Sequence, residues 1–144
     1  MLREVIRAHG HENVSGTHET TFEVTTDDFL TPAGDCILGI EADRAPAAFD
    51  PEFVAACRNS DTTLVATVRV EWDRTVHETS VTARGDPELT FESEQSAVVR
   101  TSDYVDDRTV AVGADHAAAG FDRALVAVLS DGADLTLTLS VNRP

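Results

Sequence analysis

Lysine is missing from this chain: across 144 residues all eleven basic side chains are arginine, and 26 Asp and Glu oppose them for a formal charge of −15. At ordinary ionic strength that balance argues against a nucleic-acid partner, because phosphate binding calls for a basic surface. An acidic, lysine-free surface is also what proteins of salt-loaded cytoplasms carry. There the Debye length shrinks to about 3 Å at about 1 M salt, so self-repulsion is screened while carboxylates hold water. The charge therefore marks a halophilic archaeal habitat rather than a partner, and it leaves RNA open.

Other shortages exclude more. No apolar run is long enough to span a bilayer. Met1-Leu2-Arg3-Glu4-Val5 lacks the apolar stretch of a secretory leader, so a cytoplasmic protein is expected. Two cysteines, Cys36 and Cys57, read as reduced thiols with no disulfide. One Trp and one Tyr make a poor stacking platform for single-stranded nucleic acid. There is no phosphate-cradling glycine loop, no metal-spaced Cys/His set and no nucleophile elbow, so neither cofactor nor metal is expected.

What is present is written twice. Ala42-Asp43-Arg44-Ala45 recurs as Ala114-Asp115-His116-Ala117, and Phe49-Asp50 as Phe121-Asp122, at an offset of 72 residues. Upstream, Ala8-His9-Gly10 matches Ala83-Arg84-Gly85, and Asp28-Phe29-Leu30 matches Asp103-Tyr104-Val105, at 75. A small insertion near Thr31-Pro32-Ala33 absorbs the difference. Residues 2–9 and 77–84 read as strands, as do 14–25 and 89–101, the short apolar 36–42 and 109–114, and the alternating 64–72 and 135–141. Each copy carries a helix of about ten residues that only packing on a sheet could hold. Asp50 and Asp122 are N-caps, Pro51 suits the first helical position, and Phe49 and Phe121 can staple onto Val54 and Val126. A hairpin at Asp73-Arg74 joins the copies.

These elements predict an α+β fold built on an internally duplicated β-β-β-α-β unit, with about ten strands and two helices. One domain, 1–144, is expected, made of two intertwined repeats (about 2–72 and 75–143) around a pseudo-twofold axis. They would close as a mixed barrel or as a curved sheet with the helices packed on it.

Gly10-His11-Glu12-Asn13-Val14, then Thr17-His18-Glu19-Thr20-Thr21-Phe22-Glu23, then Leu30-Thr31-Pro32-Ala33-Gly34-Asp35-Cys36-Ile37 resemble an archaeal family, domain-of-unknown-function family 371. The resemblance continues through Ala42-Asp43 to Ser102-Asp103-Tyr104 and so covers nearly the whole chain. It implies an archaeal, cytoplasmic protein and brings no activity with it.

Core positions match between the copies while several polar ones differ. Asp86 stands opposite His11, Glu88 opposite Asn13, Ser93 opposite His18 and Arg108 opposite Cys36. Specialised chemistry is therefore expected in the first copy. In an uninterrupted strand His11 and His18 would point to opposite faces and share no metal, unless Gly16 supplies a bulge. The structural reading puts His18 in the core beside Phe22 and Val24, with His11 and Asn13 capping a turn. Asp35 and Cys36 sit in the insertion, where a thiol beside a carboxylate should have a raised pKa and be no nucleophile unless a histidine is near. Asp43 and Asp115 are expected to bond the backbone of the loop leading into each helix, with a paired-carboxylate site as the functional alternative. Arg44 and His116, next to them, reach either a shared groove or solvent. The leading reading is a non-enzymatic binding module with a polar groove lined by His11, Asn13, His18, Thr20, Asp35 and Cys36. It would take a small polar ligand, RNA or a protein surface. The alternative is a hydrolase- or lyase-like enzyme, metal-assisted or not, using His18 with Asp35 and Cys36.

Overall fold

The computed structural model describes residues 2–142; residues 1, 143 and 144, of which 143 is the last position of the second predicted repeat, lie outside the described residues. Sheet A is antiparallel, with strands β1 (Leu2–His9), β4 (Thr63–Trp72), β5 (Thr75–Arg84) and β8 (Asp134–Asn142) in the order β1-β8-β4-β5. Their alternation decides the faces. Ile6, Leu64, Ala66, Val68, Val81, Leu135, Leu137 and Leu139 point inward and are buried, while Arg7, Arg69, Thr136 and Glu78 point outward in one cross-strand row. The expected hairpin joins β4 to β5. Asp73 (φ 48°) and Arg74 (φ 64°) are both left-handed between the paired Trp72 and Thr75, the two-residue geometry that matches strand twist.

Sheet B runs β3-β2-β6-β7, from β2 (Thr21–Thr25), β3 (Ile37–Gly39), β6 (Ser96–Arg100) and β7 (Thr109–Ala111). β2 and β6 pair antiparallel in the centre, and β3 and β7 lie parallel on the flanks. Every residue of β2 and β6 is buried. One face meets the core; the other is tied to the returning loops, through Arg100 to Asp106 and through Glu23 to Cys36 and Arg108.

The barrel expectation is corrected, because the chain makes two four-stranded sheets and no closed cylinder. The sheets touch through single bridges, His9 with Ile40 and Arg84 with Val112. Immediately after each bridge a left-handed residue, Glu41 (φ 52°) or Gly113 (φ 60°), turns the chain away, so pairing cannot propagate. Eight strands form among the described residues rather than ten, and several are shorter than their hydropathy suggested. Residues 14–20 and 89–95 stay in loops, and Val14–Thr25 contracts to Thr21–Thr25. The helices are also short, α1 (Pro51–Cys57) and α2 (Arg123–Ser130), each preceded by one 3-10 turn. Their caps are as read: Asp50 accepts the Glu52 N–H at 2.8 Å and Asp122 the Ala124 N–H at 2.9 Å.

Phe53 and Cys57 of α1, and Leu125 and Leu129 of α2, join one buried cluster with the inward side chains of both sheets. α1 packs on β1 and β8, α2 on β4 and β5. Gly10 ends β1 against the last turn of α2, and Gly85 ends β5 against the last turn of α1. A Cβ at either glycine would overlap a helix carbonyl oxygen, that of Leu129 or of Cys57.

Candidate functional site

The six residues singled out from the sequence are engaged mostly by backbone and neighbouring loops, and none lines the hollows described below. His11 Nδ1 accepts the Asn13 N–H at 3.0 Å, and the Asn13 amide donates to the Leu30 carbonyl at 2.7 Å. His18 Nδ1 accepts the N–H groups of Thr20 (3.2 Å) and Thr21 (3.1 Å). His18 is therefore half-buried at a turn and is not a core residue of a strand. A neutral imidazole whose Nδ1 accepts carries its proton on Nε2, so neither ring has a lone pair left for a metal ion. Gly16 is left-handed (φ 56°) within the loop and makes no bulge. Among the described residues no three His, Cys, Asp or Glu gather into a metal site.

Asp35 meets His18 through backbone alone: its carbonyl accepts the N–H groups of Thr17 and His18 at 3.1 and 3.3 Å. Thr20 is exposed, its carbonyl accepting the Thr101 N–H. Cys36 donates its thiol to the buried Glu23 carboxylate at 3.6 Å. Burial, and then the Glu23 charge, push this thiol up to about 11. It stays protonated at neutral pH, and no histidine side chain bonds it. A Cys36–His18–Asp35 nucleophilic arrangement is not assembled.

The matched positions explain why these residues looked special. Ser93, opposite His18, accepts the N–H groups of Gln95 and Ser96, both at 3.1 Å, the same two-and-three-residues-on pattern. Asp86, opposite His11, accepts the Glu88 N–H at 2.8 Å. Arg108, opposite Cys36, reaches the same Glu23 at 3.9 Å. Different side chains do the same local work. Asp43 and Asp115 are likewise structural but bond the edge strands, not the helix loops: they accept the N–H groups of Arg7 (2.9 Å) and Thr82 (3.2 Å). Arg44 pairs with the buried Glu4 at 2.6 Å, and His116 bonds Asp115 at 2.9 Å.

A concavity lies on the outer face of sheet A, where β1, β8 and β4 run side by side. A cavity of about 440 Å3 opens there, framed by Arg7, His9, Glu41, Arg69 and Asp134. Across Arg69, Glu71 and Asp134 it continues into a second hollow, of about 540 Å3, beside Trp72, Arg74 and Val76. Trp72 and Val76 are among the few exposed large apolar side chains.

His9 is the chemically distinctive group. Its Nδ1 bonds the Gly10 carbonyl and its Nε2 the Glu41 carboxylate, each at 2.9 Å. Both partners only accept, so the geometry is completed by the doubly protonated imidazolium. The Gly10 bond above all raises the pKa of His9; burial opposes it, and the Glu41 bond and the charges of Glu41 and Asp134 add to the rise. Glu41 holds this position in a left-handed conformation, disfavoured for a residue with a Cβ; the matched residue is Gly113, in the same conformation. Nothing local in the sequence brings Arg7, His9, Arg69 and Asp134 together, since β8 must first insert between β1 and β4. The mismatch of Glu41 with Gly113 was legible and is the signal that could have pointed here.

Residues 6–142 match the family described as a domain of unknown function (DUF371). An uncharacterised protein of the archaeon Methanocaldococcus jannaschii is 35% identical over 137 residues, covering 95% of this chain and 98% of that relative. The chain belongs to the DUF371 family. Neither match brings an activity with it, and no helix among the described residues is long and apolar enough to cross a membrane.

Proposed function

We propose that this chain is a non-enzymatic binding module whose groove lies at the His9 end of the outer face of sheet A. The observation that carries the reading is Glu41. A carboxylate sits in a conformation costing of order 1 kcal/mol, where the matched position has glycine, and its side chain bonds a histidine in the wall of a hollow on that face. Strain kept in a cavity wall supports a functional reading. The mixed charge favours a small polar ligand over RNA: a phosphate chain entering beside Arg7 and Arg69 would also meet Glu41, Glu71 and Asp134. No observation favours the hydrolase alternative.

The module is one domain made of two copies of one unit. Supporting this, exchanging β1–β4 with β5–β8 maps the strand order of each sheet onto itself. Loop bonds repeat at the same offsets as the sequence: Thr26 to Gln95 and Thr101 to Thr20, Ala47 to Ser93 and Ala119 to His18. The lysine-free charge of −15 supports a salt-loaded archaeal cytoplasm as its setting.

Equilibrium dialysis in concentrated KCl against the small-molecule fraction of an archaeal lysate, followed by mass spectrometry, tests the groove. Wild-type protein should retain compounds that an Arg7→Ala, Glu41→Gly double variant, folded by circular dichroism, releases. Equal retention by both proteins, or none by either, overturns the reading.

A further inference from the structure

We infer that the groove takes a zwitterion, with an anionic group held by Arg7 and a cationic or N–H-donating group held by Asp134. This rests on the binding reading above and names the chemistry of the same site.

The strand register sets the charge pattern. Arg7 pairs with Thr136, and Thr136 with Arg69, so one row across the outer face carries a cation on either side of a hydroxyl. The next row, two residues along each strand, is His9, Asp134 and Glu71. Alternation keeps both rows on the same face, about 6.6 Å apart. Most of these charges are already answered. Arg69 bonds Glu71 at 3.1 Å and lies 4.0 Å from Glu78. His9 is held by Glu41. The exceptions are the guanidinium of Arg7 and the carboxylate of Asp134. Among the described residues neither side chain makes a hydrogen bond or an ion pair, and both line the cavity.

Arg7 and Asp134 are diagonal neighbours across β1 and β8, with Cα atoms about 7–8 Å apart. Two opposite charges, each without a hydrogen bond or ion pair in one hollow and set apart by that span, fit a ligand carrying both signs, with the nearby His9 acting on Asp134 only through its charge. A simple anion gains Arg7 but faces Asp134, Glu71 and Glu41. A simple cation gains Asp134 but faces Arg7, Arg69 and the His9 imidazolium. Among charged ligands, one with both ends avoids placing like charges together. A carboxylate suits the anionic end, since guanidinium binds it through two parallel bonds. The diagonal span favours charges separated by several methylenes over those of an α-amino acid.

The test is an amide NMR titration of the labelled protein with glycine, γ-aminobutyrate and ε-aminocaproate, with butyrate and butylamine as single-charge controls. The longer amino acids should shift the amides of residues 7–9 and 134–136, at least tenfold more tightly than either control. Arg7→Gln should abolish that preference and leave butylamine the better ligand; Asp134→Asn should leave butyrate the better one. Such a reversal would not follow from a merely structural role. Controls binding as tightly as the amino acids, or shifts confined to other residues, overturn the zwitterion. If no probe binds while dialysis still finds compounds released by the Arg7→Ala, Glu41→Gly variant, the zwitterion fails and the binding reading stands. Failure of both experiments ends both.

Discussion

At the start of β2 the imidazole of His18 accepts two backbone N–H groups; at the start of β6 the hydroxyl of Ser93 accepts the two at matched positions. After β3 a strained Glu41 bonds His9; after β7 an unstrained Gly113 sits beside Arg84. The first pair differs in identity and agrees in work, while the second agrees in backbone and differs in chemistry. Polar divergence between the two halves is therefore no sign of function until it is asked what each side chain bonds. The comparison can be broken or sharpened by changing one half at a time.

The largest effect is expected where the halves agree most closely. Gly10 and Gly85 each abut a helix belonging to the other half, and neither has room for a Cβ against a carbonyl that the helix holds in place. Gly10→Ala and Gly85→Ala should each lower stability by about 3 kcal/mol or more in urea denaturation at constant salt. Similar losses would mean that both halves use the clasp equally. A loss confined to one would break the comparison at its strongest point.

Next come the residues preceding the helices. Glu4 is buried, accepts the Asp50 N–H at 2.7 Å and is neutralised by Arg44, which lies over the Phe49 ring at 5.5 Å. The matched positions hold Thr79 and His116, with the imidazole 5.6 Å from the Phe121 ring. Removing Arg44 leaves a carboxylate buried without its counter-ion, at a cost of about 2–3 kcal/mol once the partial exposure of Arg44 is discounted. Arg44→Ala should therefore cost several times what His116→Ala does, the latter staying under about 1 kcal/mol. Equal losses would remove this distinction between the halves.

Acid should separate the loops that cover sheet B. Burial pushes the Asp106 carboxyl up, but bonds from the Arg108 side chain and backbone and from Thr109, with the Arg100 charge, outweigh it and bring it down to about 2. Gly34 occupies the matched place. A depressed carboxylate contributes stability that is present above its unfolded value of 3.8 and is lost as pH falls through about 2. Amides of residues 100–109 should thus lose hydrogen-exchange protection between pH 4 and 2 before those of 26–37, and Asp106→Asn should abolish the difference. Simultaneous loss in both loops in the wild type would count against the assignment.

How much could be read beforehand follows from the range of each interaction. The caps at Asp50 and Asp122, the hairpin at Asp73-Arg74 and the alternation of β1, β4, β5 and β8 are local, and local pattern found them. The late starts of β2 and β6 were not found, because His18 and Ser93 compete with the ladder through side chains that look compatible with a strand. The barrel was not excluded, since closure depends on a left-handed residue after each sheet-to-sheet bridge. The groove was missed because Arg7 and Asp134 become neighbours only when the last strand inserts beside the first.

The smallest expected effect, and the most diagnostic, is that of giving the first half the residue of the second. Glu41→Gly relieves left-handed strain of order 1 kcal/mol and removes an exposed pair with His9 worth about 0–1 kcal/mol. These oppose one another, and pH decides between them. The pKa of His9 is raised in the folded protein, so the pair stabilises fully below the unfolded value of 6.5 and fades as pH rises through the folded one. The variant should therefore be near-neutral in stability at pH 5 and more stable than wild type at pH 9, by up to about 1 kcal/mol. Its His9 should titrate at lower pH than in wild type, read from imidazole NMR shifts, yet stay above the ordinary value because the Gly10 carbonyl bond, the larger cause, is untouched. An unchanged His9 titration, or a variant destabilised at pH 9, would mean that Glu41 is not held at a cost, and would remove the contrast between Glu41 and Gly113.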